Sequence, residues 1–235
     1  MNKLSLLTYT HSNCSDIHPL YLDSISKYFN EINHYLLTNN NIDDERVTQI
    51  VYDDTQCYYE QMLLGLSSTQ TKYVIYSQED YILYNHVDLN MINKYVEFLE
   101  NDDNINFIRL IQSGIYGNEK EYNDNLLIIN NDSEYFFSTQ ITIWRKEILE
   151  KLLSLSKPKY ITDEPKNSPY LKSIEGIGLC TKLKGDKIGG HYNSVIYPYM
   201  ATAIIKGKWN FTEYGDKLEE LLNRYDIDKN KRDIF

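Results

Sequence analysis

Short apolar runs alternate with segments of helical periodicity over the first third of the chain. Residues 4–9, 35–38, 47–52 and 73–76 are rich in β-branched, aromatic and other apolar residues, which is typical of buried strands. Residues 17–28 and 58–66 instead repeat apolar side chains every three or four positions, as amphipathic helices do. The order strand, helix, strand, strand, helix, strand predicts an α/β fold with a mostly parallel sheet and helices on both faces.

The pattern continues to the end of the sequence without an internal repeat or a long linker. Asp88 is a predicted helix start, and the helix extends to Leu99. The further predicted strands are 105–111, 126–129, 135–144 and 195–197, and the further predicted helices are 148–155, 170–183 and 216–225. We therefore expect a single domain over residues 1–235.

Composition and charge exclude several classes of protein. The net charge of −10 argues against sequence-independent nucleic-acid binding, which requires a positive surface. Neither a signal-peptide segment nor an apolar stretch of the roughly 20 residues that a spanning helix needs is present. Cys14, Cys57 and Cys180 have no metal-type or disulfide-type spacing. We expect a cytoplasmic protein, with peripheral contact to a membrane left open.

The candidate chemistry centres on Glu79 and Asp80, which directly follow the apolar run 73–76 and its polar extension. Ligands of open α/β sheets bind beyond the carboxyl ends of the strands. Two adjacent carboxylates there suit a divalent cation and, through it, a phosphate-bearing substrate. The alternative is an ordinary acidic turn after a strand.

Residues 73–83 resemble the strand and acidic motif of GT-A type glycosyltransferases, in which an Asp-X-Asp or a looser Glu-Asp variant holds the metal-bound nucleotide-sugar. Residues 6–12 are similar to the family's first strand and the loop that contacts the nucleobase, and 136–145 to the passage on the acceptor side. Residues 168–175 occupy the place of the helix that carries the catalytic base. Position 78 is Gln, so the strict Asp-X-Asp pattern is not met and metal dependence stays open.

The resemblance implies a GT-A (Rossmann-like) fold and a hexosyltransferase type of enzyme. Its donor would be a nucleoside-diphosphate sugar, UDP- or GDP-linked, and its acceptor a hydroxyl of a glycan or glycolipid. A Mn²⁺ or Mg²⁺ ion would neutralise the leaving diphosphate. Glu175 would act as general base in an inverting displacement, unless it is only an exposed helix acid. Asp163 and Glu164 are rival bases.

The remaining predicted site residues follow from their positions. His191 comes after two glycines and is the predicted second metal ligand beside Asp80, because imidazole suits transition-type cations; otherwise it is loop surface. Lys208 would neutralise the diphosphate. The alternative is that Trp209 packs under the last helix and the lysines beside it are merely solvated. The predicted donor-binding residues are Thr8, Tyr9, Thr10, His11, Ser12, Asp53, Glu79 and Lys208. Asp53 and its neighbour Asp54 could equally close a turn.

Two other functions remain as alternatives. A carbohydrate- or nucleotide-binding module without turnover would fit Gln78. A sugar-nucleotidyl transferase is disfavoured, because the first loop lacks a Gly-rich, Arg-bearing phosphate cradle. No nucleophile elbow, Walker loop or Gly-X-Gly-X-X-Gly motif is found. Residues 229–232, which carry both basic and acidic neighbours, are expected to be solvated.

Overall fold

The structure is a computed structural model that describes residues 3–112, 120–131, 133, 136–161, 173–189 and 191–235. Within these ranges lie five α-helices: α1 (His18–Tyr28), α2 (Tyr58–Ser68), α3 (Leu89–Asn101), α4 (Lys146–Ser156) and α5 (Phe211–Arg224). The main sheet consists of β1 (Leu4–Tyr9), β2 (Asn33–Thr38), β3 (Thr48–Val51), β4 (Tyr73–Gln78), β5 (Ile105–Arg109), β6 (Glu121–Asn123), β7 (Leu126–Ile129), β8 (Thr142–Arg145) and β9 (Ile177–Thr181). Two small ribbons pair β10 (Lys187–Ile188) with β11 (His191–Tyr192) and β12 (Ile204–Ile205) with β13 (Lys208–Trp209).

The main sheet of the described residues has the strand order β3-β2-β1-β4-β8-β5-β9-β7-β6. Strand β1 pairs in parallel with both β2 and β4, and β2 with β3. Strand β8 runs antiparallel between β4 and β5, so β5 points the same way as β4, and β9 is parallel to β5. The mostly parallel sheet predicted from the sequence is confirmed.

Helices cover both faces of this sheet, as predicted. One buried cluster joins Tyr21 and Ile25 of α1 and Ile92 and Tyr95 of α3 to strand residues that include Ile75. The cluster on the opposite face joins α2 and α4 to the other side of the strands, through Met62, Leu66, Leu149 and Leu152 packed against Leu7, Val74 and Trp144. A third cluster packs α5 around the buried Trp209. The helix start predicted at Asp88 is confirmed, since its carboxylate accepts the Met91 N–H at 3.1 Å.

Three predicted elements differ from the structure. Residues 177–181 were predicted as part of a helix and form β9, because they pair with β5 on one side and β7 on the other. Residues 195–197 were predicted as a strand; they belong to no strand, although Ile196 and Tyr197 are buried. The strand predicted over 135–144 is the shorter β8, with residue 135 outside the described ranges. None of the described helices combines the length and apolarity that crossing a bilayer requires.

Candidate functional site at the carboxyl edge of the sheet

The sheet changes its direction of winding beside β1. The chain proceeds from β1 outward to β2 and β3, and then returns to place β4 on the other side of β1. Tyr9 and Gln78 are register partners at the carboxyl ends of β1 and β4. The turn that begins at Thr10 and the pair Glu79–Asp80 therefore leave the sheet side by side, at the kind of topological switch point where α/β proteins bind ligands.

Glu79 is half-buried against the turn that follows β1. Burial raises the pKa of its carboxyl, while the Cys14 thiol, the Arg232 charge and the Thr10 hydroxyl act in the opposite direction. The structure thus brings Glu79 and the predicted Thr10 loop together.

Asp80 has an oxygen without a partner. Its Oδ1 is buried and accepts no hydrogen bond within the part of the chain that the structure describes. The pKa of the carboxyl is raised well above its usual range, first by burial and then by the neighbouring charge of Glu79. A buried acceptor left unpaired costs about 1–3 kcal/mol, so a bound cation or donor would recover free energy here.

A polar network links the ends of β1, β2 and β3. Asn39, at the end of β2, accepts the Ser12 N–H at 2.8 Å and donates to the Asp54 carboxylate at 2.7 Å. The Nε2 atom of His11 lies 3.2 Å from Asn39 Nδ2 and 3.3 Å from Asp54 Oδ1. No role of Asn39 is predictable from the sequence, because only the pairing of β1 with β2 brings it to this turn.

A cleft of about 590 Å³ opens beside this network, within the range usual for small-molecule sites. The Tyr9 ring stacks on Tyr52 with centroids 5.5 Å apart, and its hydroxyl donates to Gln61 at 2.7 Å. The residues lining the cleft are Tyr9, His11, Asp54, Thr55, Gln56, Cys57, Tyr58, Gln61, Lys159, Tyr160 and Ile161. Its aromatic and polar lining suits a base and a sugar.

Two of the predicted donor-binding residues have other partners. The Thr8 hydroxyl is buried below the edge, 2.7 Å from the Tyr21 hydroxyl and 2.9 Å from His34 Nε2, so it supports the site from beneath. Asp53 closes a turn, since its carboxylate accepts from both the backbone and the side chain of Thr55 at 2.8 Å. These contacts agree with the alternative that Asp53 only closes a turn.

Lys208 and His191 belong to other clusters. The Lys208 amine lies 3.2 Å from the Asp233 carboxylate. His191 Nε2 lies 3.3 Å from the Tyr214 hydroxyl, and burial lowers the pKa of its imidazole. No group of three or more His, Cys, Asp or Glu side chains suited to a metal occurs among the described residues, so His191 does not join Glu79 and Asp80.

Glu175 lies at the opposite edge of the sheet. It precedes Ile177, which pairs with Ile105 at the amino end of the parallel strand β5. Phe107 and Val74 both pair with Trp144, so they lie at the same level of the sheet. Counted from the level of Ile105, Glu79 therefore lies at least seven residues further along the strand direction, which is roughly 23 Å in an extended strand. The structure therefore does not bring the predicted general base Glu175 together with Glu79 and Asp80.

Arg232 belongs to the segment 229–232, which was expected to be solvated, but it contributes to the surroundings of the site. Arg232 is largely buried, with a side-chain exposure of 12%, and binds Asp16 near the turn after β1. The rival bases Asp163 and Glu164 and most of the segment 168–175 lie outside the described residues.

The comparison with solved structures concerns the fold. The first match is S. aureus TarS, at 13% identity and a TM-score of 0.50, covering 82% of this chain and 36% of that one. The fold is of the GT-A type. The chain thus spans about a third of the length of TarS.

Two further matches have TM-scores under 0.5. A cytidylyltransferase from Leptospira borgpetersenii matches at 15% identity and 0.48 over 100% of both chains. A mannosyltransferase from Pyrobaculum calidifontis, solved with GDP-Man and Mn²⁺, matches at 10% identity and 0.43 over 64% of this chain and 46% of that one. No protein-family model and no curated protein matches this sequence.

Proposed function

We propose that this chain is a glycosyltransferase that moves a sugar from a nucleoside diphosphate, UDP or GDP, to a hydroxyl of a glycan. The observation that carries the proposal is the position of Asp80. One oxygen of its carboxyl, Oδ1, is buried without a hydrogen-bond partner among the described residues, at the switch point of a GT-A type sheet. Residues 1–235 would form a single domain.

The donor would lie along the carboxyl edge, with its base and ribose in the cleft of about 590 Å³ lined by Tyr9, Asp54 and Tyr58. The turn 10–12 lines this cleft through His11 and contacts Glu79 through Thr10, so a diphosphate that extends from the ribose would pass the turn on its way to the carboxylates. The hydrogen bonds of Asn39 hold the turn in place for this contact.

A divalent cation, Mn²⁺ or Mg²⁺, would be held by Glu79 and Asp80 together with the diphosphate oxygens. Two adjacent carboxylates, one with a vacant buried oxygen, fit the oxygen ligands that such cations prefer. The cation would supply Lewis-acid stabilisation of the leaving diphosphate. Glu175 takes no part, and the proposal assigns no general base.

The test is a binding and turnover series with UDP, GDP and their sugars, with and without Mn²⁺. At a ligand concentration of 100 times Kd the fold gains about 2.7 kcal/mol, or roughly 5–10 °C in Tm for a chain of this size. A Mn²⁺-dependent shift with one nucleotide, followed by release of nucleoside diphosphate with an acceptor glycan, supports the proposal.

Two results would overturn it. If none of the nucleotides shifts the Tm, the chain does not bind the proposed donor. Tight binding without donor hydrolysis or transfer over a broad acceptor panel would instead indicate a binding module on the same fold, the alternative that Gln78 favours.

A further inference from the structure

The last eight residues of the sequence, 228–235, are called here the closing segment, and they are fixed to β13. The Trp209 N–H donates to the Asp233 carbonyl at 2.9 Å, and the Phe235 N–H donates to the Trp209 carbonyl at 2.9 Å. Trp209 and Ile234 form a parallel bridge. Because Trp209 is itself completely buried, the closing segment has a rigid support.

Arg232 leaves this segment toward the first loop of the fold. Its Nε and Nη2 donate to the two carboxylate oxygens of Asp16 at 2.8 and 2.6 Å. The guanidinium carbon lies 5.7 Å from the centre of a Trp209 ring. Both charged side chains are mostly buried, with exposures of 12% for Arg232 and 16% for Asp16. A bidentate pair of this kind fixes orientation as well as distance.

The charge of the same guanidinium acts on the carboxylates of the candidate site. It lies beside the Cys14 thiol, which in turn lies against Glu79. Its positive charge lowers the pKa of both Glu79 and Asp80, whereas burial raises them. A chain of contacts thus runs from Asp16 through Arg232 and Cys14 to Glu79.

We propose that Arg232 is a positioning residue of the donor site, holding the turn 12–16 and the Glu79 side chain in the arrangement that receives the donor diphosphate. This inference rests on the proposed function. Groups that orient the ligands of a cation typically change its affinity about 10–100-fold when removed, without touching the cation themselves. The closing segment would then contribute to donor recognition although it lies more than 200 residues from the turn in sequence.

The experiment compares two ligands on Arg232→Gln. The first is the nucleoside diphosphate that the wild-type chain binds, UDP or GDP, with Mn²⁺; the second is the corresponding nucleoside. We expect the diphosphate to bind about tenfold more weakly and the nucleoside to bind as before, because only the diphosphate reaches Glu79. Arg224→Gln is the matched control, since it removes an exposed arginine that pairs with Glu220 on α5.

Four outcomes of this comparison overturn the inference. A folded Arg232→Gln chain that binds the diphosphate with wild-type affinity removes the positioning role. If Arg232→Gln loses the same affinity for the diphosphate and for the nucleoside, the substitution acts on the fold in general. If Arg224→Gln loses as much diphosphate affinity as Arg232→Gln, the effect comes from the net charge. If the wild-type chain binds neither diphosphate, the proposed function fails first, and this inference fails with it.

Asp16→Asn provides a second route if Arg232→Gln does not fold. Since both residues act through one contact, we expect the same selective loss of diphosphate affinity. Where both variants fold, the double variant should lose no more diphosphate affinity than the more strongly affected single variant, because the effects of residues in one contact do not add. Wild-type diphosphate affinity in a folded Asp16→Asn chain would also overturn the inference.

Discussion

Tyr9 and Gln78 are register partners at the ends of two parallel strands, β1 and β4. Their pairing sets the turn after Tyr9 and the acidic pair after Gln78 at the same level of the sheet. Asn39 directly follows the next strand outward, β2, and contacts the same turn, so three loops converge on one edge. This convergence places the acidic pair beside two other loops rather than in an isolated acidic turn.

Replacement of Asp80 by Asn should separate binding from folding. The amide removes a carboxyl whose pKa burial has raised, so we expect the Tm of the ligand-free chain to be kept or to rise. Affinity for nucleoside diphosphate with Mn²⁺ should fall by about tenfold or more, because a cation ligand is lost.

Calorimetry of the free chain and titration with nucleotide check both expectations for Asp80. Asp124→Asn, in the exposed turn between β6 and β7, is the control for loss of one negative charge. Unchanged nucleotide affinity in Asp80→Asn would contradict the placement of the donor.

Replacement of Glu175 by Gln should leave nucleotide affinity and turnover close to wild type. The side chain is exposed and lies before β9, at the amino end of the parallel strands. Steady-state rates of the two chains, measured with the same donor and acceptor, check this. A loss of turnover of 100-fold or more, within the range of about 10²–10⁴ that a general base contributes, would restore Glu175 as the base.

His34 should make the fold less stable at acid pH. Burial lowers the pKa of its imidazole from 6.5 to about 3. Between these two pKa values, the imidazole is protonated in the unfolded chain but neutral in the folded chain. The free energy of unfolding therefore falls by up to about 1.4 kcal/mol for each pH unit of acidification. The raised pKa values of Glu79 and Asp80 act oppositely, since their protonation stabilises the fold as the pH falls.

The comparison of wild type with His34→Gln isolates the histidine, because both chains retain the two carboxyls. Urea unfolding between about pH 4 and 6 should give a shallower loss of stability in the variant. His86→Gln, at an exposed imidazole, is the control and should follow the wild-type slope. Parallel slopes for wild type and His34→Gln would rule out this contribution.

Two glycine substitutions should change the free energy of unfolding in opposite directions. In Gly178→Ala the new Cβ would stand 2.1 Å from Phe107 Cζ, inside the core of the sheet, so we expect a loss of about 1–3 kcal/mol or more. In Gly215→Ala, on α5, the nearest atom is Phe211 Cδ1 at 4.0 Å, so helix propensity should add about 0.5–1 kcal/mol. Denaturant unfolding of both variants checks the contrast, and a stability loss in both would contradict it.

Much of the fold follows from local pattern. The runs 4–9 and 73–76 are short, apolar and bounded by polar residues, and they form β1 and most of β4. The segment 177–181 shows where local reasoning ends. Gly178 and Cys180 do not signal a strand by themselves, and β9 exists because β5 and β7 supply hydrogen-bonding partners on both sides.

The candidate site divides in the same way. Glu79 and Asp80 were recognisable because an acidic pair after a buried strand is a local signal that needs no knowledge of neighbours. Thr8, His191 and Lys208 were also predicted site residues, and their side chains contact His34, Tyr214 and Asp233, respectively. Sequence spacing carries no information about those partners.

The sequence by itself determined the alternation of strands and helices, the α/β class and the acidic pair at a strand end, because these depend on periodicity and composition over a few residues. Only the tertiary structure decided that Arg232 binds Asp16 and that Glu175 lies on the far edge. The physical reason is that strand direction and the docking of distant segments depend on pairing and burial across the whole chain. A short segment of sequence does not contain that information.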